Sequence, residues 1–104
     1  MPARTALTAT KIVALLTQHE AWALDGDGNQ VAICKTYRFA NYYETIAFVN
    51  ALAFIAHQRD HHPDLSVHYR HCVVRLRTHD AGGISQLDFD CAAQIDALRT
   101  GTPA

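Results

Sequence analysis

Residues 20–39 read EAWALDGDGNQVAICKTYRF, and this stretch decides the fold class. Glu20 to Leu24 and Gln30 to Phe39 have strand composition. Asp25-Gly26-Asp27-Gly28-Asn29 between them is a strong hairpin signal. In the second strand Val31, Ile33, Lys35, Tyr37 and Phe39 share one face, and Ala32, Cys34, Thr36 and Arg38 the other. Upstream, Thr8 to His19 reads as a helix capped by Thr8 or Thr10, with Ile12, Leu15 and Leu16 in helical spacing. Downstream, Asn41 opens a long helix, and Glu44 stands three residues on at the capping-box position. Ile46, Val49, Leu52, Ala53, Ile55 and Ala56 form its expected apolar stripe. Pro63 disfavours helical geometry in its predecessor, so this helix ends near Asp60-His61.

A strand follows, from about Val67 to Arg77. Cys72, Val74 and Leu76 alternate with Val73, Arg75 and Arg77, and the mixed face marks it as a candidate edge. Asp80 to Gly83 is a loop, and Gly83-Ile84-Ser85 is the expected place for a short further strand. Ser85 starts the last helix, with Asp88 three residues later and Leu87, Cys91, Ile95 and Leu98 as its stripe, Ala92 beside them. The order α-β-β-α-β-(β)-α predicts an α+β domain, an antiparallel sheet with helices on one face. An open sheet edge in a small domain favours pairing with a copy of itself, so a homo-oligomer is expected.

One hundred and four residues fit a single domain, 1–104, with a loose tail at about 100–104. Nine Lys and Arg against ten Asp and Glu give a formal charge of −1, which argues against a nucleic-acid binder. No apolar run approaches the ~20 residues of a membrane-spanning helix. Nor does an apolar stretch follow Met1 as in a signal peptide. Three scattered cysteines, Cys34, Cys72 and Cys91, predict reduced thiols and a cytoplasmic location.

Histidine stands out. Six of the seven, His57, His61, His62, His68, His71 and His79, fall within 23 positions. His57 and His61 share a helix face at i, i+4, and His62-Pro63 stiffens the exit. A helix C-terminus favours cationic imidazole. General acid–base chemistry is the first reading, because imidazole both accepts and donates protons near neutrality. A zinc site ranks below it. The run from His57 to His61 has Gln58 where His-Glu-x-x-His has its acid, and no Cys-x-x-Cys occurs. His19, His68 and His71 read as surface residues, Trp22 as a core or pocket aromatic, and Arg70, Arg75 and Arg77 as a solvated strand face.

The pattern His57-x-x-x-His61-His62-Pro63, Tyr69, Thr78-His79, Gly82-Gly83 and Asp88 resembles pterin-4a-carbinolamine dehydratase. Trp22, Tyr37-Arg38-Phe39, Asn41, Phe48 and Ala92 to Asp96 extend the likeness from about Thr8 to Leu98. The resemblance implies a lyase that dehydrates 4a-hydroxytetrahydropterin to quinonoid dihydropterin and recycles the pterin of aromatic amino acid hydroxylases. It implies no metal and no organic cofactor, a four-stranded antiparallel sheet with three helices on one face, and a homodimer or homotetramer. By resemblance His61 and His79 are the acid/base pair and His62 binds or assists. His57, Pro63, Tyr69, Thr78 and Asp88 bind substrate or support, with Asp88 steadying an imidazole. Two positions depart from the family pattern: His57 stands where glutamate is frequent, and Asp60 where asparagine is. The alternative reading is an oligomeric interaction module of the same fold, without required catalysis.

Overall fold

The computed structural model describes residues 5–100; the expected loose tail lies outside them, apart from Thr100. Three helices, α1 (Ala9–Leu16), α2 (Tyr42–Gln58) and α3 (Gln86–Thr100), accompany four strands. The strands are β1 (Ala23–Asp25), β2 (Ala32–Arg38), β3 (Asp64–Val67) and β4 (His71–Leu76). They form one antiparallel sheet in the order β1-β2-β4-β3. The α+β order is therefore as expected.

The helices cover one face of the sheet. Ile33 and Tyr37 of β2 and Cys72, Val74 and Leu76 of β4 meet Phe48 and Leu52 of α2, Phe89 and Ile95 of α3 and Ile12 of α1 in one core cluster. Fully burying such a side chain contributes about 1.5–3 kcal/mol. On the opposite face Arg75 forms an ion pair with Asp25 across β2 and so ties β4 to β1.

The helix starts follow the caps read in the sequence. The Thr8 hydroxyl accepts the Lys11 N–H at 3.2 Å, and the Asn41 side chain accepts the Glu44 N–H at 2.9 Å. The Glu44 carboxylate reaches back to the Ala40 N–H at 3.0 Å, one residue before the cap. Each such cap contributes about 1 kcal/mol.

The expected strand Val67–Arg77 is two strands. Leu65 and Val67 alternate with Asp64 and Ser66, a short two-faced pattern immediately after Pro63, and this segment pairs with β4. The His68 N–H donates to the His71 carbonyl at 2.8 Å and closes the turn between them. β4 is consequently interior, and β3 is the edge on its side of the sheet. Gly83-Ile84-Ser85 is not the fourth strand; it makes only the single bridges Thr78–Gly83 and Ala6–Ser85. β1 begins at Ala23, because Ala21 adopts a left-handed φ of 69° that breaks the extended run. On α2 the buried residues are Thr45, Phe48, Leu52 and Ala56, whereas Ala53 is exposed. α3 adds Phe89, fully buried.

All three cysteines are free thiols, and burial pushes those of Cys34 and Cys72 up. Among the described residues no helix is long and apolar enough to cross a membrane.

Candidate functional site

The end of α2 fixes the first histidine. The His61 N–H donates to the Ala56 carbonyl at 2.9 Å and the Asp60 N–H to the His57 carbonyl at 3.1 Å. Asp60 takes a left-handed φ of 51°. These two bonds and the left-handed residue constitute a Schellman ending, which sets where the chain leaves the helix. His61 is thereby turned inward and is only 5% exposed.

The start of α3 supplies its partner. Asp88 is fully buried, and its Oδ1 accepts a 2.6 Å hydrogen bond from His61 Nε2. The other oxygen, Oδ2, accepts from the Thr78 hydroxyl at 2.9 Å and from the Ser85 N–H at 2.9 Å. Thr78 has one hydroxyl proton and gives it to Asp88, so the Ser85 hydroxyl donates to Thr78 Oγ1. An ionised carboxylate can only accept. The proton between the two groups therefore sits on His61 Nε2, and Nδ1 of the neutral ring is left as its acceptor.

The loop after β4 supplies the third part. The Thr78 N–H donates to the Gly83 carbonyl at 2.9 Å, and Gly82 adopts φ 70° to close the loop. His79 begins the short 3₁₀ turn His79–Ala81 and is exposed. Its Nδ1 lies 3.5 Å from Arg77 Nη1, at the outer limit of a hydrogen bond. A guanidinium only donates, so this contact favours Nδ1 as acceptor and the proton on Nε2.

Of the residues singled out in the sequence, His61, Thr78 and Asp88 meet directly. His62 and Pro63 continue from His61, and His79 from Thr78. His57 is exposed in the last turn of α2. Tyr69 lies elsewhere. The β3–β4 turn that carries it is at the opposite end of the hairpin from Asp64, which pairs with Arg75. There Tyr69 stacks on Tyr42, ring centres 5.8 Å apart, and its carbonyl accepts the Thr45 hydroxyl. Among the described residues no group of three or more His, Cys, Asp or Glu side chains could hold a metal ion.

Residues 5–98 match the family described as pterin 4 alpha carbinolamine dehydratase. The chain belongs to that family. A protein of Paracidovorax citrulli, provisionally named a pterin-4-alpha-carbinolamine dehydratase, is 68% identical over 92% of this chain and 83% of its own length. A Stenotrophomonas maltophilia protein with the same provisional name is 53% identical over 93% and 82%. Among solved structures, a transcriptional coactivator/pterin dehydratase from Brucella melitensis superposes with a TM-score of 0.84 at 26% identity, covering 90% of this chain and 98% of that one. A pterin dehydratase-like protein identified as a RuBisCO assembly factor in the alpha-carboxysome shares the fold, with a TM-score of 0.67 at 24% identity over 79% of this chain and 93% of that one.

Against the pterin-4a-carbinolamine dehydratase pattern, one member of the hydrogen-bond chain escaped the sequence reading. Ser85 is fully buried and bonds both Thr78 and Asp88. The signal was present as Ser85-x-x-Asp88, a helix-start spacing, and nothing in it says that the acid also reaches across to a histidine. A cleft of about 540 Å³ opens away from His61, along β2, between Ala21 and Asp96.

Proposed function

We propose that the chain dehydrates 4a-hydroxytetrahydropterin to quinonoid dihydropterin by histidine general acid–base catalysis, as a step in tetrahydropterin recycling. The His61–Asp88–Thr78 chain carries this reading, because it leaves one ring nitrogen poised as a proton acceptor on a buried carboxylate. In the reaction the C4a–O bond breaks and the hydroxyl leaves as water after receiving a proton. A ring N–H gives up its proton, and its electron pair forms the new C=N bond. No oxidant or reductant is consumed.

The roles divide by environment. Asp88 stabilises the imidazolium that forms when His61 accepts a proton, which suits His61 to the base. His79 suits the acid in its imidazolium form, which carries a transferable proton on Nε2, clear of the 3.5 Å contact between Nδ1 and Arg77, and His62 adds a donor beside the base. Asp88 and Thr78 are positioning residues. Proton transfer by a positioned residue contributes about 10²–10⁴-fold.

We also propose a homodimer through β3. Because the His68 N–H turns toward His71, alternation turns the main-chain groups of Asp64 and Ser66 toward β4 and those of Leu65 and Val67 outward. Two copies pair Leu65 with Val67 about a two-fold axis at Ser66. Asp64 then faces His68 of the second copy, and the second copy's Tyr69 turn comes beside Pro63. This would give Tyr69 a place at the histidines that it lacks within one chain. A second helix-mediated contact, giving a homotetramer, is favoured by Tyr43 and Phe54 on the outer side of α2, 88% and 66% exposed.

The test is dehydration of chemically generated carbinolamine across pH. His61→Ala should remove the acid limb of the rate profile and His79→Ala the alkaline limb, each with a rate loss of about 10²-fold or more. Full rate in both variants would overturn the assignment. A stable, well-folded wild type without activity would turn the reading to the interaction module.

A further inference from the structure

The cleft along β2 has a feature the histidine site does not explain. The Phe39 N–H donates to the Arg70 carbonyl, so alternation directs the main-chain groups of Lys35 and Tyr37 toward β4 and those of Thr36 and Arg38 the other way. On that side β1 pairs only with Ala32, Ile33 and Cys34. The next partner in register, opposite Thr36, would be Ala21. Its left-handed φ of 69° takes the chain off the sheet at that residue. The Arg38 carbonyl is occupied by Arg99 Nη2 at 3.0 Å. The Thr36 N–H, the Thr36 carbonyl and the Arg38 N–H have no main-chain partner among the described residues and lie along the floor of the cleft, a donor–acceptor–donor row at strand spacing.

The walls are cationic. Arg99 stands on the helix side, its guanidinium 4.5 Å from the Phe39 ring and held by one of its five N–H donors. Arg38 points to the open side of the sheet and is exposed. Lys35 is engaged by Asp96 at 2.7 Å, which settles both charges at the base of the cleft. Among the described residues Glu20 is the one further carboxylate lining it. The same Asp96 accepts from Trp22 Nε1 at 3.0 Å and from the Tyr37 hydroxyl, so the floor is rigidly held.

We propose that this cleft is a second binding site, distinct from the histidine site, for an extended acidic segment of a partner protein. The segment adds as a short strand beside Thr36–Arg38, and its Asp or Glu side chains meet Arg99 and Arg38. Main-chain pairing supplies the fit and the carboxylates the selectivity.

Trp22 is the only tryptophan in the chain, and through Asp96 it reports on the cleft. The full chain is titrated with the blocked peptide acetyl-Val-Glu-Glu-Glu-Val-amide, whose adjacent carboxylates face both sides of the sheet, while Trp22 emission is followed, and again with lysine in place of glutamate. The proposal expects a saturable change with the acidic peptide only, weakened about tenfold by Arg38→Glu, an exposed site. Thr36→Pro removes the outward N–H while leaving the β4 ladder intact, and should weaken binding likewise. Should that variant fail to fold, Arg38→Glu decides. Absence of saturation, equal binding of both peptides, an unaffected Arg38→Glu variant, or an emission change driven by protein concentration alone would each overturn the proposal. The last of these would mark the edge as a contact between copies.

Discussion

Helix α3 carries two aspartates that each gather three donors, and they do opposite things. Asp88, in the first turn, is fully buried and takes His61 Nε2, the Thr78 hydroxyl and the Ser85 N–H. Asp96, two turns on, is partly exposed and takes Trp22 Nε1, Lys35 Nζ and the Tyr37 hydroxyl. The ammonium on Asp96 neutralises it permanently, so that cluster is a fixed brace between β2, α3 and the α1–β1 connection. Asp88 has no permanent cation. Its one titratable partner is an imidazole, whose charge can come and go while the hydroxyl and amide hold the carboxylate still. Two clusters of equal size thus differ in whether a proton can move through them, and only the first is suited to chemistry.

The largest expected effect tests that difference directly. Asp88→Asn presents an amide where three donors converge, and one orientation turns its NH₂ toward His61 Nε2. The ring must then carry its proton on Nδ1 and loses its outward acceptor. The dehydration rate should fall about 10²–10⁴-fold, and a mismatched buried group costs about 1–3 kcal/mol of stability. Asp96→Asn should lose stability in chemical denaturation and leave the rate unchanged. An Asp96→Asn variant as inactive as Asp88→Asn would erase the distinction drawn between the two clusters.

The two clusters also differ in how far the sequence disclosed them. The resemblance sets Asp88 beside an imidazole, and Ser85-x-x-Asp88 sets it at a helix start. The hairpin, the caps of α1 and α2 and the helix end before Pro63 were legible because local chemistry dictates each of them. In the sequence Asp96 is only part of a closing helix and Trp22 only a core or pocket aromatic. Their meeting depends on residues 74 positions apart, and no spacing rule encodes it. The same limit hid β3. Four residues that alternate after a proline look like loop until β4 is beside them to accept their hydrogen bonds. Tyr69 shows the converse: sequence likeness grouped it with the histidines, and the hairpin carries it to the far end of the sheet.

Tyr37 sharpens the comparison from the Asp96 side. Burial first, and then the Asp96 carboxylate, push its phenol well above the usual 10.0. As pH rises through that ordinary value the unfolded chain releases the Tyr37 proton while the folded chain keeps it. Stability contributed by this group is whole below about pH 10 and declines above it, by about 1.4 kcal/mol per pH unit. Urea denaturation at stepped alkaline pH should show that slope in the wild type and a shallower one in Tyr37→Phe. Equal slopes would mean that the Tyr37–Asp96 bond is not a fixed brace.

The smallest effect concerns how the Asp88 cluster is reached. His61 can turn inward only because Asp60 adopts φ 51° at the end of α2. Asp60→Ala and Asp60→Gly both delete the carboxylate, so whatever it contributes cancels when the two are compared. What separates them is the left-handed backbone, which costs an L-residue with a Cβ roughly 1–2 kcal/mol and glycine almost nothing. Glycine's greater freedom in the unfolded chain returns part of this, leaving Asp60→Gly the more stable by about 1 kcal/mol or less. Trp22 emission, which senses the other cluster, should be the same in both. A stability order reversed between the two would show that His61 is held by Asp88 alone, with the helix ending following the histidine instead of placing it.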